Sequence, residues 1–202
     1  MAKKAKKKTA KKAKKVVSKP KAKKAVKKVK KAVSKPKAKK AASANPLAGL
    51  VGWYTQESQA SARMIGAVPN ELLGRKVHPK FRTPGELATH LGDSILGLAE
   101  TLKSGKLTFG NVSTINTTAE ILAHYNKAVE EFKAVAKNVQ PANLTKKYPF
   151  EMNGKVMWNP TGIEMAQAWV CHEIHHRAQI GTLLRILDAR VPGMYGPTAD
   201  DM

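Results

Sequence analysis

Three histidines, a glutamate and an arginine fall within six positions, His172-Glu173-Ile174-His175-His176-Arg177. Around them, Met165, Trp169, His172, His176, Ile180, Leu183 and Leu187 follow at steps of three and four, the spacing of one helix face. His172 and His176 therefore belong to an apolar stripe, one turn apart. Two imidazoles turned toward a core without partners are costly. A divalent ion removes that cost: neutral imidazole is a good ligand for zinc, nickel or iron, and the i,i+4 spacing aims both rings at one ion. Satisfied core histidines are the other reading the spacing leaves open. His175 falls off the stripe and is expected at the surface or beside the ligands.

The same run fits H-E-x-x-H, the zinc-protease pattern in which the glutamate serves as general base. Such a site needs a third ligand downstream. No histidine follows His176 and no glutamate follows Glu173, which leaves only Asp188, Asp200 and Asp201 as formal candidates. An upstream ligand is the better expectation. His90 lies beside Leu87 and Leu91 on another apolar stripe. His124, next to Tyr125, is the second choice, and His78 falls in a loop. Three protein nitrogens with one open position form the catalytic rather than the structural arrangement for zinc. Glu173 is then a candidate base or a partner to an imidazole, with a plain surface glutamate as the alternative. Arg177 and Gln179 either buttress the site or hold a substrate anion, against an ordinary salt bridge for the arginine. Cys171 is expected as a buried small residue rather than a nucleophile. Trp53, Trp158 and Trp169 line either a pocket or the core.

These residues need helices to hold them. Apolar periodicity predicts a first helix within 44–68, with Leu50, Trp53, Tyr54, Met64, Ile65 and Val68 on its stripe. A second, within 82–105, opens on Thr83, Pro84 and Glu86, a capping box with proline at the first helical position, and closes at Gly105. Its stripe is Leu87, Leu91, Ile95, Leu98 and Leu102. A third starts at Thr117 with Glu120 three residues on and carries Leu122, Tyr125, Val129, Phe132 and Ala136. Thr161 and Glu164 open a fourth that runs to about Ala189. Before it, the Asn153-Gly154-Lys155 step between short mixed apolar runs signals a hairpin. The expected fold is all-α, a four-helix bundle with a short hairpin before the last helix.

The 202 residues carry a net charge of +23, unevenly spread. Residues 1–44 hold 21 lysines and no acid; the other 158 residues hold 16 basic and 14 acidic groups, close to neutral. The segment "VVSKPKAKKA" at 16–25 returns as "AVSKPKAKKA" at 32–41. Such a sequence cannot bury enough apolar area to offset its ordering entropy and self-repulsion. Residues 1–45 are thus expected as a disordered Lys/Ala/Pro-rich tail and 46–202 as the folded domain. Lysines of the repeats, Lys19, Lys21, Lys23, Lys24, Lys35, Lys37, Lys39 and Lys40, are suited to neutralising phosphates and so to non-specific nucleic-acid binding. The tail has no aromatic side chain to stack on bases or to anchor in a membrane. A solvated tether is the plain alternative. One cysteine excludes an internal disulfide and suits a cytoplasmic protein, and there is no apolar run of transmembrane length.

The tail resembles those of linker histones and of some bacterial nucleoid proteins, which implies a nucleoid-associated location. "THLGD" with His90, and "HEIHHRAQI" with His172, His176, Arg177 and Gln179, resemble the DinB/YfiT-like superfamily of four-helix-bundle metalloproteins; the ending "RVPGMYGPTADD" does so too. The resemblance spans roughly 46–202. It implies a divalent metal, zinc or nickel, on His90, His172 and His176, with water or substrate in the open position, and frequent homodimers. It also implies a reaction among thiol-dependent transfers, isomerisation with a small thiol, or hydrolysis. Two functions follow as expectations: a metal-dependent enzyme, a thiol-dependent transferase or hydrolase, held on DNA by its tail; or a non-enzymatic nucleoid-associated DNA-binding protein whose bundle serves for dimerisation.

Overall fold

The computed structural model describes residues 45–109 and 112–202. The Lys/Ala/Pro-rich tail, with the eight repeat lysines proposed to meet nucleic acid, lies outside the described residues. Asn45 is already tied to the fold: its amide donates to the Ala136 carbonyl at 2.8 Å, and its side-chain oxygen accepts from the Leu47 N–H.

Four long helices carry the fold: α1 (Ala48–Gly66), α2 (Pro84–Ser104), α3 (Thr118–Asn138) and α5 (Gly162–Ile186). A short helix α4 (Pro141–Thr145) and a two-stranded antiparallel hairpin, β1 (Phe150–Met152) with β2 (Lys155–Trp158), fill the last long connection. The expected four-helix bundle with a hairpin before the last helix is what the chain forms. Helices α1 and α2 each pack against both α3 and α5, so α1 faces α2 across the bundle and α3 faces α5. The consequence for the site is a long α2–α5 seam.

Local chemistry sets the helix ends. Thr83 and Glu86 form a reciprocal capping box, Pro84 sits in the first turn, and Gly105 ends α2 at φ 69°. Thr161 and Glu164 cap α5 in the same way. At α3 the expected box is half made: Thr117 accepts from the Glu120 N–H, but the Glu120 carboxylate takes the Thr117 hydroxyl instead of its N–H. Asn153 and Gly154 turn the hairpin with φ of 51° and 71°, the left-handed pair an Asn-Gly turn favours. Gly162 allows the start of α5 to touch α4, since a Cβ there would meet the Asn143 carbonyl oxygen at 2.2 Å.

The core is apolar and continuous. Leu87, Leu91, Ile95, Leu98 and Leu102 of α2 are all buried, as their spacing predicts, and so are Tyr125, Val129, Phe132 and Ala136 of α3. One stripe shifts by a residue, with Ile121 buried where Leu122 was expected; on α1, Tyr54, Met64, Ile65 and Val68 are buried as expected, but Trp53 lies exposed with its indole N–H on Glu57. Among the described residues, no helix is long and apolar enough to cross a membrane.

Candidate metal centre

Helix α5 buries two faces. Met165, Val170, Ile180 and Leu183 are in the core, and the most buried polar groups of the motif are Glu173 and Arg177, at 3% and 2% exposure. His172 and His176 lie beside that stripe, half-buried on the side that meets α2. One turn apart on α5, they face His90 of α2 across the seam.

The three rings converge through their Nε2 atoms. His172 Nε2 lies 3.3 Å from His90 Nε2 and 3.1 Å from His176 Nε2, and one ligand atom from each ring lies within 4.8 Å of the others. Nitrogens held about 2.0–2.1 Å from a tetrahedral zinc stand about 3.3 Å apart, so two of the edges already have the length a metal requires. The donor set fits a divalent cation. Gln179 fixes one ring: His176 Nδ1 lies 2.6 Å from Gln179 Oε1. An amide oxygen can only accept, so that nitrogen carries the proton and Nε2 keeps its lone pair toward the other two rings. Ser94 approaches His90 at 3.3 Å, and Trp169 stacks against His172 with its own N–H donated to the Ser94 carbonyl at 2.7 Å.

The rings are held neutral. Burial, then the positive charge of Arg82, lowers His90 to about 4. Burial, then the neighbouring imidazoles, lowers His172 to about 3. Burial also lowers His176, against the bond to Gln179. Neutral imidazole is the metal-binding form.

The cluster opens on solvent through two joined lobes. The larger, about 620 Å³, extends past Trp169, Phe109 and Asp93. The smaller, about 420 Å³, reaches His176 and Gln179. Lys80, Phe81, Arg82, His90 and His172 border both. The volume suits a small organic molecule.

The remaining sequence candidates separate clearly. His124 is engaged elsewhere, its Nε2 2.9 Å from Asp93 Oδ1, while Asp93 also accepts from the Ser113 hydroxyl and N–H. His78 is exposed and accepts from the Lys80 N–H, and His175 is exposed beside His176. Cys171 is exposed, not buried, because it falls on the face of α5 opposite the core.

Glu173 is neither at the surface nor lining the cleft. It accepts a hydrogen bond from the Tyr125 hydroxyl, and burial raises its carboxyl against the opposing pull of Tyr125, Ser61, Tyr54 and Arg177. One position along the helix rotates the side chain about 100°, toward α1 and α3 and away from the cleft. A base facing substrate is therefore not its place.

Arg177 likewise turns into the protein. It pairs with Glu57 at 2.7 Å, donates to the Glu57 carbonyl at 2.9 Å and hydrogen-bonds the Tyr195 hydroxyl. The salt-bridge alternative describes its contacts, whereas Gln179 does reach the histidines. Periodicity could not reveal Lys80 and Arg82, which come from an irregular loop.

The DinB superfamily model matches residues 54–180, a span that includes all three histidines and Gln179. No curated protein matches the chain. Among solved structures, the chain is similar to a DinB-like protein from Bacillus cereus, with 21% identity over 73% of this chain and 96% of that one, at a TM-score of 0.58. A DinB-like protein from Bacillus subtilis is similar at 17% identity, over 74% of this chain and 99% of that one, with the same TM-score. These two likenesses carry the fold; the family match, over more than half of the chain and across the histidine seam, shows that it belongs to the DinB superfamily.

Proposed function

We propose that the protein is a divalent-metal-dependent enzyme, a thiol-dependent transferase or hydrolase, whose basic tail holds it on DNA without sequence preference. The observation that carries the enzyme reading is the convergence of three Nε2 atoms at the head of an open cleft. A purely structural zinc site would have four protein ligands and no cleft.

His90, His172 and His176 would hold the ion, with zinc or nickel favoured by three imidazoles. Such an ion supplies Lewis acidity, favouring the deprotonated form of a water or a thiol near neutral pH. The chain's own groups do the rest. Gln179 holds the proton of His176 on Nδ1. Trp169 shields one side of His172 and keeps its face fixed through the Ser94 carbonyl. Asp93 ties Ser113 and His124 together, which fixes the Asp93–Ser113 side of the larger lobe.

Elemental analysis of the full chain, purified without chelators, tests the site. One zinc or nickel per chain is expected, and His172→Ala should lose it. Metal-free wild-type protein would sink the reading. On the cobalt-substituted protein, a small thiol should produce a thiolate-to-cobalt charge-transfer band; a water-only spectrum at saturating thiol would favour hydrolysis over thiol transfer.

A further inference from the structure

The larger lobe is walled by flat apolar groups, Trp169, Phe81 and Phe109, and rimmed by charge. Five ionisable groups other than the histidines line it: Lys76, Lys80, Arg82, Glu86 and Asp93. Both acids are already engaged. The Glu86 carboxylate accepts from the Thr83 N–H at 2.7 Å and pairs with Lys76 at 3.4 Å. Asp93 is shared between Ser113 and His124. Among the described residues, neither Lys80 nor Arg82 has an ion-pair partner. These two cations also border the second lobe, next to His90 and His172, so they stand where the two lobes meet beside the histidines.

We propose that this cleft binds a small organic anion, with a flat apolar body against Trp169, Phe81 and Phe109 and an anionic oxygen group, carboxylate or phosphate, held by Lys80 and Arg82. The proposal rests on the enzyme reading only in making this anion the substrate; the anion site itself needs no metal. The physical reasoning is direct. Arginine presents a planar fork of donors that matches carboxylate and phosphate oxygens. An apolar wall next to that fork lowers the local dielectric and strengthens the attraction. Arg82 lines both lobes together with His90 and His172, so an anion held by it lies beside the histidine cluster. Neutral molecules of the same shape would gain the stacking but leave both cations unpaired.

Binding of 2-naphthoate, 2-naphthyl phosphate and the neutral 2-naphthamide to the full chain, measured calorimetrically with and without zinc, tests this. At least one of the two acids should bind about tenfold more tightly than the amide, and which one does so identifies the anionic group. In the double variant Lys80→Gln/Arg82→Gln, which keeps the whole lysine-rich tail, that preference should shrink to within about twofold while zinc content stays the same. A preference that survives in the zinc-free variant comes from elsewhere in the chain and overturns the proposal, as does equal binding of acids and amide by the zinc-free wild type. The single variant Arg82→Gln should show an intermediate loss. Protein that takes up no zinc yet prefers an acid would sink the metal reading and leave the anion site standing. Protein that takes up zinc and does not distinguish acid from amide would do the reverse.

Discussion

Which nitrogen of each ring keeps its lone pair decides whether three histidines make a site. For His176 the answer comes from Gln179, whose carbonyl oxygen sits 2.6 Å from Nδ1. Gln179→Leu should therefore weaken metal binding by about 10–100-fold without removing any ligand, read by competition with a chromophoric chelator, whereas Gln179→Glu should keep most of the affinity. An unchanged affinity in the leucine variant would show that the tautomer is fixed otherwise. The lowered histidines carry a second consequence, for the metal-free protein. Their folded values lie below the ordinary 6.5, with His90 near 4 and His172 near 3, so the unfolded chain takes up protons first as the pH falls. Stability contributed by the neutral rings is complete above about pH 6.5 and is lost on acidification toward about pH 3. Denaturant midpoints of the chelator-treated protein should fall over that window, and less steeply in His172→Ala. The pairing of His172 with His176 was legible from their i,i+4 spacing, while His90 had to be supplied by another helix. The burial of Glu173 and Arg177 was not: a count of apolar positions places every charge outside, and only packing against Tyr125 and Glu57 shows that two charged residues occupy core positions.

At the scale of elements, the buried ion pair of Arg177 with Glu57 joins three parts of the domain. Glu57 comes from α1, Arg177 from α5, and Tyr195 from the C-terminal segment, with the tyrosine hydroxyl 2.6 Å from the Glu57 carboxylate. Burial alone would raise Glu57, but hydrogen bonds from Tyr195 and Arg177 outweigh it and lower the carboxyl. A buried ion pair of this kind is not in itself a net gain, yet removing one member leaves the other charged and dry. Arg177→Met should cost about 3–5 kcal/mol, read from the denaturant midpoint, and the double variant Arg177→Met/Glu57→Gln should recover part of that loss. A double variant no more stable than Arg177→Met would argue that the arginine matters through its stem and not its charge. Helix ends were the most legible feature of the sequence, since Thr83 with Glu86 and Thr161 with Glu164 encode their caps within four residues. The adjacency of α2 and α5 was not, because capping and periodicity carry no information on which helices neighbour each other. The expectation that His90 meets α5 rested on its place beside Leu87 and Leu91 and was strengthened by family resemblance; the packing of α2 on α5 supplies the physical reason.

For the whole molecule, the distribution of charge matters more than its sum. The described residues contain a continuous core and the histidine seam, while 21 lysines precede them without one acid. The two halves are thus expected to act independently, one through a cleft and the other through counterion release. If only the eight repeat lysines meet phosphates, the logarithm of the DNA association constant should fall with the logarithm of salt at a slope of about −7, since each phosphate neutralised contributes about −0.9. Engagement of more lysines would steepen it. Duplexes of unrelated sequence should bind alike, because lysine, alanine and valine offer no base-reading fork. Residues 45–202, nearly neutral and with the core intact, should leave the same duplex unshifted at low salt and still take up one metal ion per chain. Equal DNA binding by fragment and full chain would move the nucleic-acid contact onto the bundle, where Lys80 and Arg82 are the unpaired cations at a cleft. The Lys80→Gln/Arg82→Gln variant separates those cases: it should leave the salt slope of the full chain unchanged if the tail is what touches DNA.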